Sequence, residues 1–189
     1  MVHRGWWLLL IAGIAIAVFN RQRDPTQRTE RNLAILGMRF LGAGMWYVGS
    51  LWKLPLPESE GFQAWTENTV KYSSFQLHAD IMHLFLNHIT IGGPLVYLLE
   101  VSLASSLMLG FMVRLSNIVG ALFIFNLMIG LYNDPSEWVW TYVGLICTFG
   151  MFAASQAGMA LGLDNLVAKR LLPLFDTDAI WVRAVRRVA

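Results

Sequence analysis

Between Gly93 and Val113 the sequence reads GPLVYLLEVSLASSLMLGFMV, and Glu100 is its one charged residue. A run of about 20 apolar residues is long enough to cross the ~30 Å hydrocarbon layer as a helix. A carboxylate inside it costs roughly 2.5–3.5 kcal/mol on insertion scales, so it must face a helix bundle or a wet cavity rather than lipid. Arg39, the one charge in another apolar segment, is the expected partner. Such a pair is either a structural link between two helices or part of a proton- or quinone-handling site.

Composition agrees with a membrane protein. The chain is 56% hydrophobic and 14% charged, where a soluble domain carries about 25% charged residues. Its 189 residues make one domain of a handful of helices. A net charge of +2 is too small to imply a nucleic-acid partner. The single cysteine, Cys147, rules out an intrachain disulfide, a CxxC redox pair and a cysteine-rich metal site.

Five apolar spans follow along the chain. Gly5 to Phe19 is short and has the look of a signal peptide, with Arg4 in front and Ala15-Ile16-Ala17 behind. The basic residues that follow (Arg21, Arg23, Arg28 and Arg31) argue against cleavage, so a retained helix anchored by Trp6 and Trp7 is expected. The second span, Leu33 to Leu51, holds Arg39 among small residues that let helices approach closely in lipid. Lys53, Pro55 and Pro57 end it. From Leu54 to Ile91 the chain is polar, and its later part, Asn68 to Ile89, predicts one amphipathic helix at the membrane surface. Gly92-Gly93-Pro94 is expected to break the chain before the third span. A very short turn at Arg114 leads into the fourth span, Leu115 to Leu131, so these two helices should be antiparallel neighbours. After the acidic turn Tyr132 to Trp138 the fifth span runs from Val139 to Ala160, with Trp138, Trp140 and Tyr142 as an aromatic belt. Asp164 is placed to cap the next helix, and the tail from Lys169 reads as a cationic surface segment facing anionic lipid headgroups.

The basic loop 21–31, Arg114 and the tail fall on one face of a five-span protein, and the acidic connections fall on the other. The positive-inside rule puts the basic face in the cytoplasm, with the N terminus outside and the C terminus inside.

Order and spacing carry a resemblance. Arg39-x-x-Gly42…Gly49-x-x-x-Lys53 resembles the first helix of DoxX-type proteins. Glu100 followed by Leu109-Gly110-x-x-x-Arg114 resembles their second helix and its turn. Asn126, Trp138-x-Trp140-x-Tyr142 and Gly158-x-x-x-Gly162-Leu163-Asp164 resemble the DoxD branch, the membrane subunit of thiosulfate:quinone oxidoreductase. The resemblance covers roughly Leu33 to Leu166. It implies an all-α integral membrane protein whose four-helix bundle occupies residues 33–166. A transmembrane helix and basic loop (1–32) would precede the bundle, and a cationic tail (167–189) would follow it. It also implies a bacterial or archaeal cytoplasmic membrane, with quinone as substrate and no intrinsic cofactor.

Arg39, Glu100, Asn126 and Arg114 are the candidate polar groups for a quinone head. Asn126 serves equally well as a helix–helix hydrogen bond. His78, His83 and His88 cluster around Asp80 in the surface segment, at a spacing that suits no usual metal site. They are either plain interfacial histidines or, for His78, Asp80 and His83, a proton relay, with haem ligation a lesser form of that idea. Three functions remain open. The chain is the membrane subunit of a quinone-linked oxidoreductase that oxidises a sulfur substrate such as thiosulfate, with a soluble partner subunit supplying the electron entry point. Alternatively it is a non-catalytic accessory subunit of a respiratory or photosynthetic complex. A small-molecule transporter ranks last, because repeated Gly/Pro-broken helices are absent.

Overall fold

The structure is a computed structural model that describes residues 2–57 and 59–171, with side chains for 4–57 and 59–169. Among the described residues it is helical throughout, with no strand. The helices are α1 (Val2–Arg23), α2 (Glu30–Leu51), α3 (Glu60–Lys71), α4 (Gln76–Asn87), α5 (Ile89–Leu109), α6 (Val113–Gly130), α7 (Val139–Ala154) and the short α8 (Leu163–Leu166). Three stretches are long and apolar enough to cross a membrane: Arg4–Arg23, Ile89–Leu109 and Val113–Gly130. α2 is as long but less apolar, and α7 is apolar but only 16 residues long.

Several boundaries differ from the sequence reading. α1 is longer than the run Gly5–Phe19, because polar Asn20 to Arg23 continue the helix. The single surface helix expected over 68–89 is two helices, α3 and α4. Ser59 caps α3 with its hydroxyl, which accepts from the Phe62 N–H at 3.1 Å. The link after Lys71 is then tied down by Ser74 N–H to Ile129 O (3.0 Å) and Asn133 N–H to Tyr72 O (3.1 Å). Gly92-Gly93-Pro94 does not break the chain. Pro94 lies inside α5, and the glycines serve close approach instead. A Cβ on Gly92 would run into the Phe85 ring, and one on Gly93 would lie 2.7 Å from Pro57 O. α7 stops at Ala154 rather than Ala160, where Gln156 takes a left-handed conformation (φ 49°). The cationic tail from residue 172 lies outside the described residues.

The chain divides into two compact units. The first gathers residues up to Met45, then Leu103–Ile118, then Met151 onward. Small residues set its packing: a Cβ on Gly13 would lie 2.7 Å from Met108 O, and one on Gly44 would lie 3.5 Å from the Trp6 ring. Gly110 (φ 68°) and Met112 (φ 51°) make the tight turn between α5 and α6. The second unit comprises Trp46–Ser102 and Val119–Gly150. Its core includes buried Trp46, which stacks on Phe149 (centroids 5.5 Å apart) and tilts against Phe123 (5.9 Å).

Candidate functional site

In the second unit α2 ends at Leu51, and Lys53 lies just beyond it. Lys53 folds back over the helix end. Its Nζ donates at 3.0 Å to Gly49 O, a carbonyl of the last turn that also accepts from Trp52 N–H at 3.4 Å. The same Nζ lies 2.8 Å from Glu100 Oε1 and 5.3 Å from the centroid of the Phe62 ring. Ser59 places that ring, since its hydroxyl donates to Trp52 O (2.7 Å) while capping α3. Lys53 and Glu100 are both almost wholly buried. Glu100 Oε2, equally buried, has no hydrogen-bond partner among the described residues.

Glu100 therefore has a cationic partner, but it is Lys53 and not Arg39. Lys53 stands within the resemblance motif just after the end of α2, and its Gly49-x-x-x-Lys53 spacing is the signal for it in the sequence.

A second polar cluster in this unit centres on His78. Its Nδ1 is 2.9 Å from Ser73 Oγ, and its Nε2 is 3.2 Å from Asn126 Oδ1. An amide oxygen only accepts, so with Asn126 in this orientation Nε2 carries the proton. The Ser73 hydroxyl then donates to Nδ1 while the ring is neutral. The same hydroxyl lies 3.3 Å from Phe75 O. Gly130 makes room for the ring, because a Cβ there would lie 3.1 Å from His78 Cε1.

The other relay candidates do not join this cluster. Asp80 is exposed and accepts from Gln76 Nε2 (2.8 Å). Exposed His83 turns to Asn87 (3.4 Å), and His88 turns to Leu84 O (3.0 Å). Facing solvent or lipid, these side chains find partners one helical turn away along α4. Asn126 is half-buried, as a helix–helix hydrogen bond would require. Arg114 is exposed, so it is not a buried polar group.

Arg39 sits in the first unit and is completely buried. Its guanidinium is wedged between Gly110 and Gly162, where a Cβ on either residue would collide with it. None of its three nitrogens has a hydrogen-bond partner among the described residues, and the facing countercharge is Asp164. Asp164 spans the start of α6: Oδ1 accepts from Met112 N (2.7 Å), Oδ2 from Val113 N (3.2 Å), and its own N–H donates to Gly110 O (2.8 Å). It caps α6 rather than the helix that follows it in sequence. Burial pushes its carboxyl up to about 6, against the opposing pull of the two N–H donors and of Arg39.

Among the described residues no group of three or more His, Cys, Asp or Glu is placed to hold a metal. Compared with known protein families, with curated proteins and with solved structures, the chain matches none.

Proposed function

We propose that the chain is a DoxD-like membrane subunit of a quinone-linked oxidoreductase, passing electrons from a sulfur substrate such as thiosulfate to quinone. The observation that carries this reading is the buried Lys53–Glu100 pair, one of whose carboxylate oxygens has no hydrogen-bond partner among the described residues. A charge pair held inside an apolar helical protein costs desolvation, and a half-satisfied one costs more. Such groups are retained where a substrate or a proton uses them. A quinone that accepts two electrons also takes up two protons. In this reading Lys53 donates a hydrogen bond to a quinone carbonyl and Glu100 passes a proton. His78, hydrogen-bonded to Ser73 and Asn126, feeds protons from the connection between α2 and α5. Arg39 is not assigned to the quinone head, since it lies in the first unit and its facing countercharge is Asp164. The electron entry point for the sulfur substrate belongs to a soluble partner subunit. The bundle sits in a bacterial or archaeal cytoplasmic membrane with its basic loops inside.

The test is quinone reduction by the assembled enzyme carrying Lys53→Met or Glu100→Gln. Turnover per folded, assembled enzyme should fall at least tenfold, beyond any loss in the amount of folded protein. Unchanged turnover in both variants would falsify the assignment.

One feature favours a second reading, a non-catalytic accessory subunit of a respiratory or photosynthetic complex. Only 17% of the apolar window of α1 is buried within the protein, and Trp7, Leu8, Ile11, Ile14 and Val18 face outward. Such a face is covered by lipid or by a helix of another subunit. Deleting residues 1–31 would release the chain from its complex under this reading. Under the first it would leave quinone reduction in place.

A further inference from the structure

Where α1 ends, the first unit opens a polar pocket of about 230 Å³ lined by Asn20, Arg23, Asp24, Asn165, Leu166 and Lys169. Its floor is built from fixed groups. Buried Asn20 donates through Nδ2 to Ile16 O (3.0 Å) and Gly162 O (3.1 Å), and its Oδ1 accepts from Asn165 Nδ2 at 2.8 Å. Asp24 Oδ1 accepts from the N–H and the hydroxyl of Thr26 (3.0 and 2.6 Å). Its Oδ2 pairs with Lys169 Nζ at 2.5 Å. That lysine above all, with Thr26, holds the Asp24 carboxyl well below the usual range, so it is ionised and its charge is met within the pocket wall.

The charge count leaves an excess. Lys169 balances Asp24, and Arg23 remains without an anionic partner among the described residues, its guanidinium lying over the Phe19 ring, 5.8 Å from its centroid. The neighbouring Arg28 is occupied elsewhere, donating to Arg21 O (2.9 Å) and Gln22 O (3.1 Å) at the end of α1. The pocket thus presents one free guanidinium and the outer face of a half-exposed ammonium, on a floor of neutral amides. Planar guanidinium beside a point ammonium suits the oxygens of a phosphate group.

Depth adds a second argument. Arg4–Arg23 is a candidate membrane span, and Arg23 is its last residue. A pocket that begins there stands at the level where a spanning helix leaves the hydrocarbon and meets the phosphates of the headgroups. We infer that this pocket binds a phosphate group, presented either by an anionic phospholipid or as a free phosphate. The inference is independent of the quinone reading.

The test uses the full chain in mild detergent, followed by native mass spectrometry and thermal unfolding. The probes are phosphatidylglycerol, phosphatidylcholine of the same chain length, and inorganic phosphate. Phosphatidylglycerol held at least tenfold more tightly than phosphatidylcholine, and not displaced by inorganic phosphate, identifies a lipid source. Stabilisation by inorganic phosphate alone identifies a soluble one. In either case Arg23→Gln and Lys169→Gln should each weaken binding roughly tenfold, the scale of one lost charge-assisted hydrogen bond. Arg23→Gln leaves the Lys169–Asp24 pair intact, so its effect does not pass through folding. Arg31→Gln, an exposed arginine outside the pocket, should bind as the parent does. Equal loss in Arg31→Gln, full binding in Arg23→Gln, or no binding of any probe overturns the proposal.

Discussion

The ammonium of Lys53 and the carboxylate of Glu100 meet at 2.8 Å, 47 residues apart in sequence and almost out of reach of solvent. Removing one partner leaves the other charged and alone, which costs about 3–5 kcal/mol at a buried site. Lys53→Met and Glu100→Leu should therefore each lower stability by roughly that amount, and the double variant should recover a large part of the loss. Thermal unfolding in detergent, arranged as a double-mutant cycle, measures the coupling. Additive losses would show that the pair does not interact.

Gly110 and Gly37 make a matched contrast. Gly110 has φ 68°, and a Cβ there would strike the Arg39 guanidinium, whereas Gly37 lies in α2 with nothing within 4 Å of a built Cβ. Gly110→Ala should destabilise by more than about 1 kcal/mol, while Gly37→Ala should be neutral or stabilising by up to ~1 kcal/mol. The two melting temperatures, compared with the parent, decide the matter. Equal shifts would mean that the cage around Arg39 tolerates a methyl group.

Asp164 links stability to pH. Its carboxyl is raised from 3.8 to about 6 in the folded chain, so the folded state holds the proton more firmly than the unfolded state does. The associated stability is present in full below about pH 4 and is lost as pH rises through about 6. Its size is on the order of 3 kcal/mol. Asp24 shifts the other way, so its contribution is already complete above the ordinary carboxylate range. Melting curves between pH 4 and 8 should show the decline in the parent and a flatter profile in Asp164→Asn. Identical profiles would remove Asp164 from the account.

His78 depends on Asn126. Asn126→Leu strands Nε2 of a buried ring, at a cost of about 1–3 kcal/mol. Ser73→Ala should cost less, because Ser73 lies in the link between α3 and α4 beside exposed Ser74 and Phe75, where water can replace its hydroxyl, whereas Asn126 lies within α6. The ordering of the two unfolding free energies is the readout, and the reverse order would mean that Ser73 holds the ring.

Orientation is open to labelling. Cys147 is an exposed thiol and must first be replaced by serine. On that background a cysteine at exposed Glu67 should react with a membrane-impermeant reagent applied to intact cells. One at exposed Thr29, in the basic loop, should not. Labelling at position 29 alone would invert the topology.

Much of the fold was legible in local pattern. Long apolar runs, short turns and basic loops are properties of contiguous sequence, and α1, α5 and α6 appear where those runs lie. The helix ends were less legible. The links from Ser74 to Ile129 and from Asn133 to Tyr72 divide one amphipathic stretch into α3 and α4, and these contacts join residues far apart in the chain. Gly92 and Gly93 looked like a break, but the Phe85 ring and the Pro57 carbonyl that press against them belong to other segments.

By itself the sequence determined that Glu100 must be sheltered and partnered, because one carboxylate in an apolar span has no other stable place. It did not determine the partner. Arg39 and Lys53 both stand near the apolar face of α2, and the choice between them depends on helix rotation and depth, which only tertiary packing sets. That packing gave Glu100 to Lys53, enclosed Arg39 among glycines facing Asp164, and drew His78 to Asn126 while leaving Asp80 and His83 at the surface. For Glu100 with Lys53 and for His78 with Asn126 the deciding quantity was a distance of about 3 Å between groups that sequence spacing does not bring together, and the hydrogen-bonding reach of polar atoms is no longer than that.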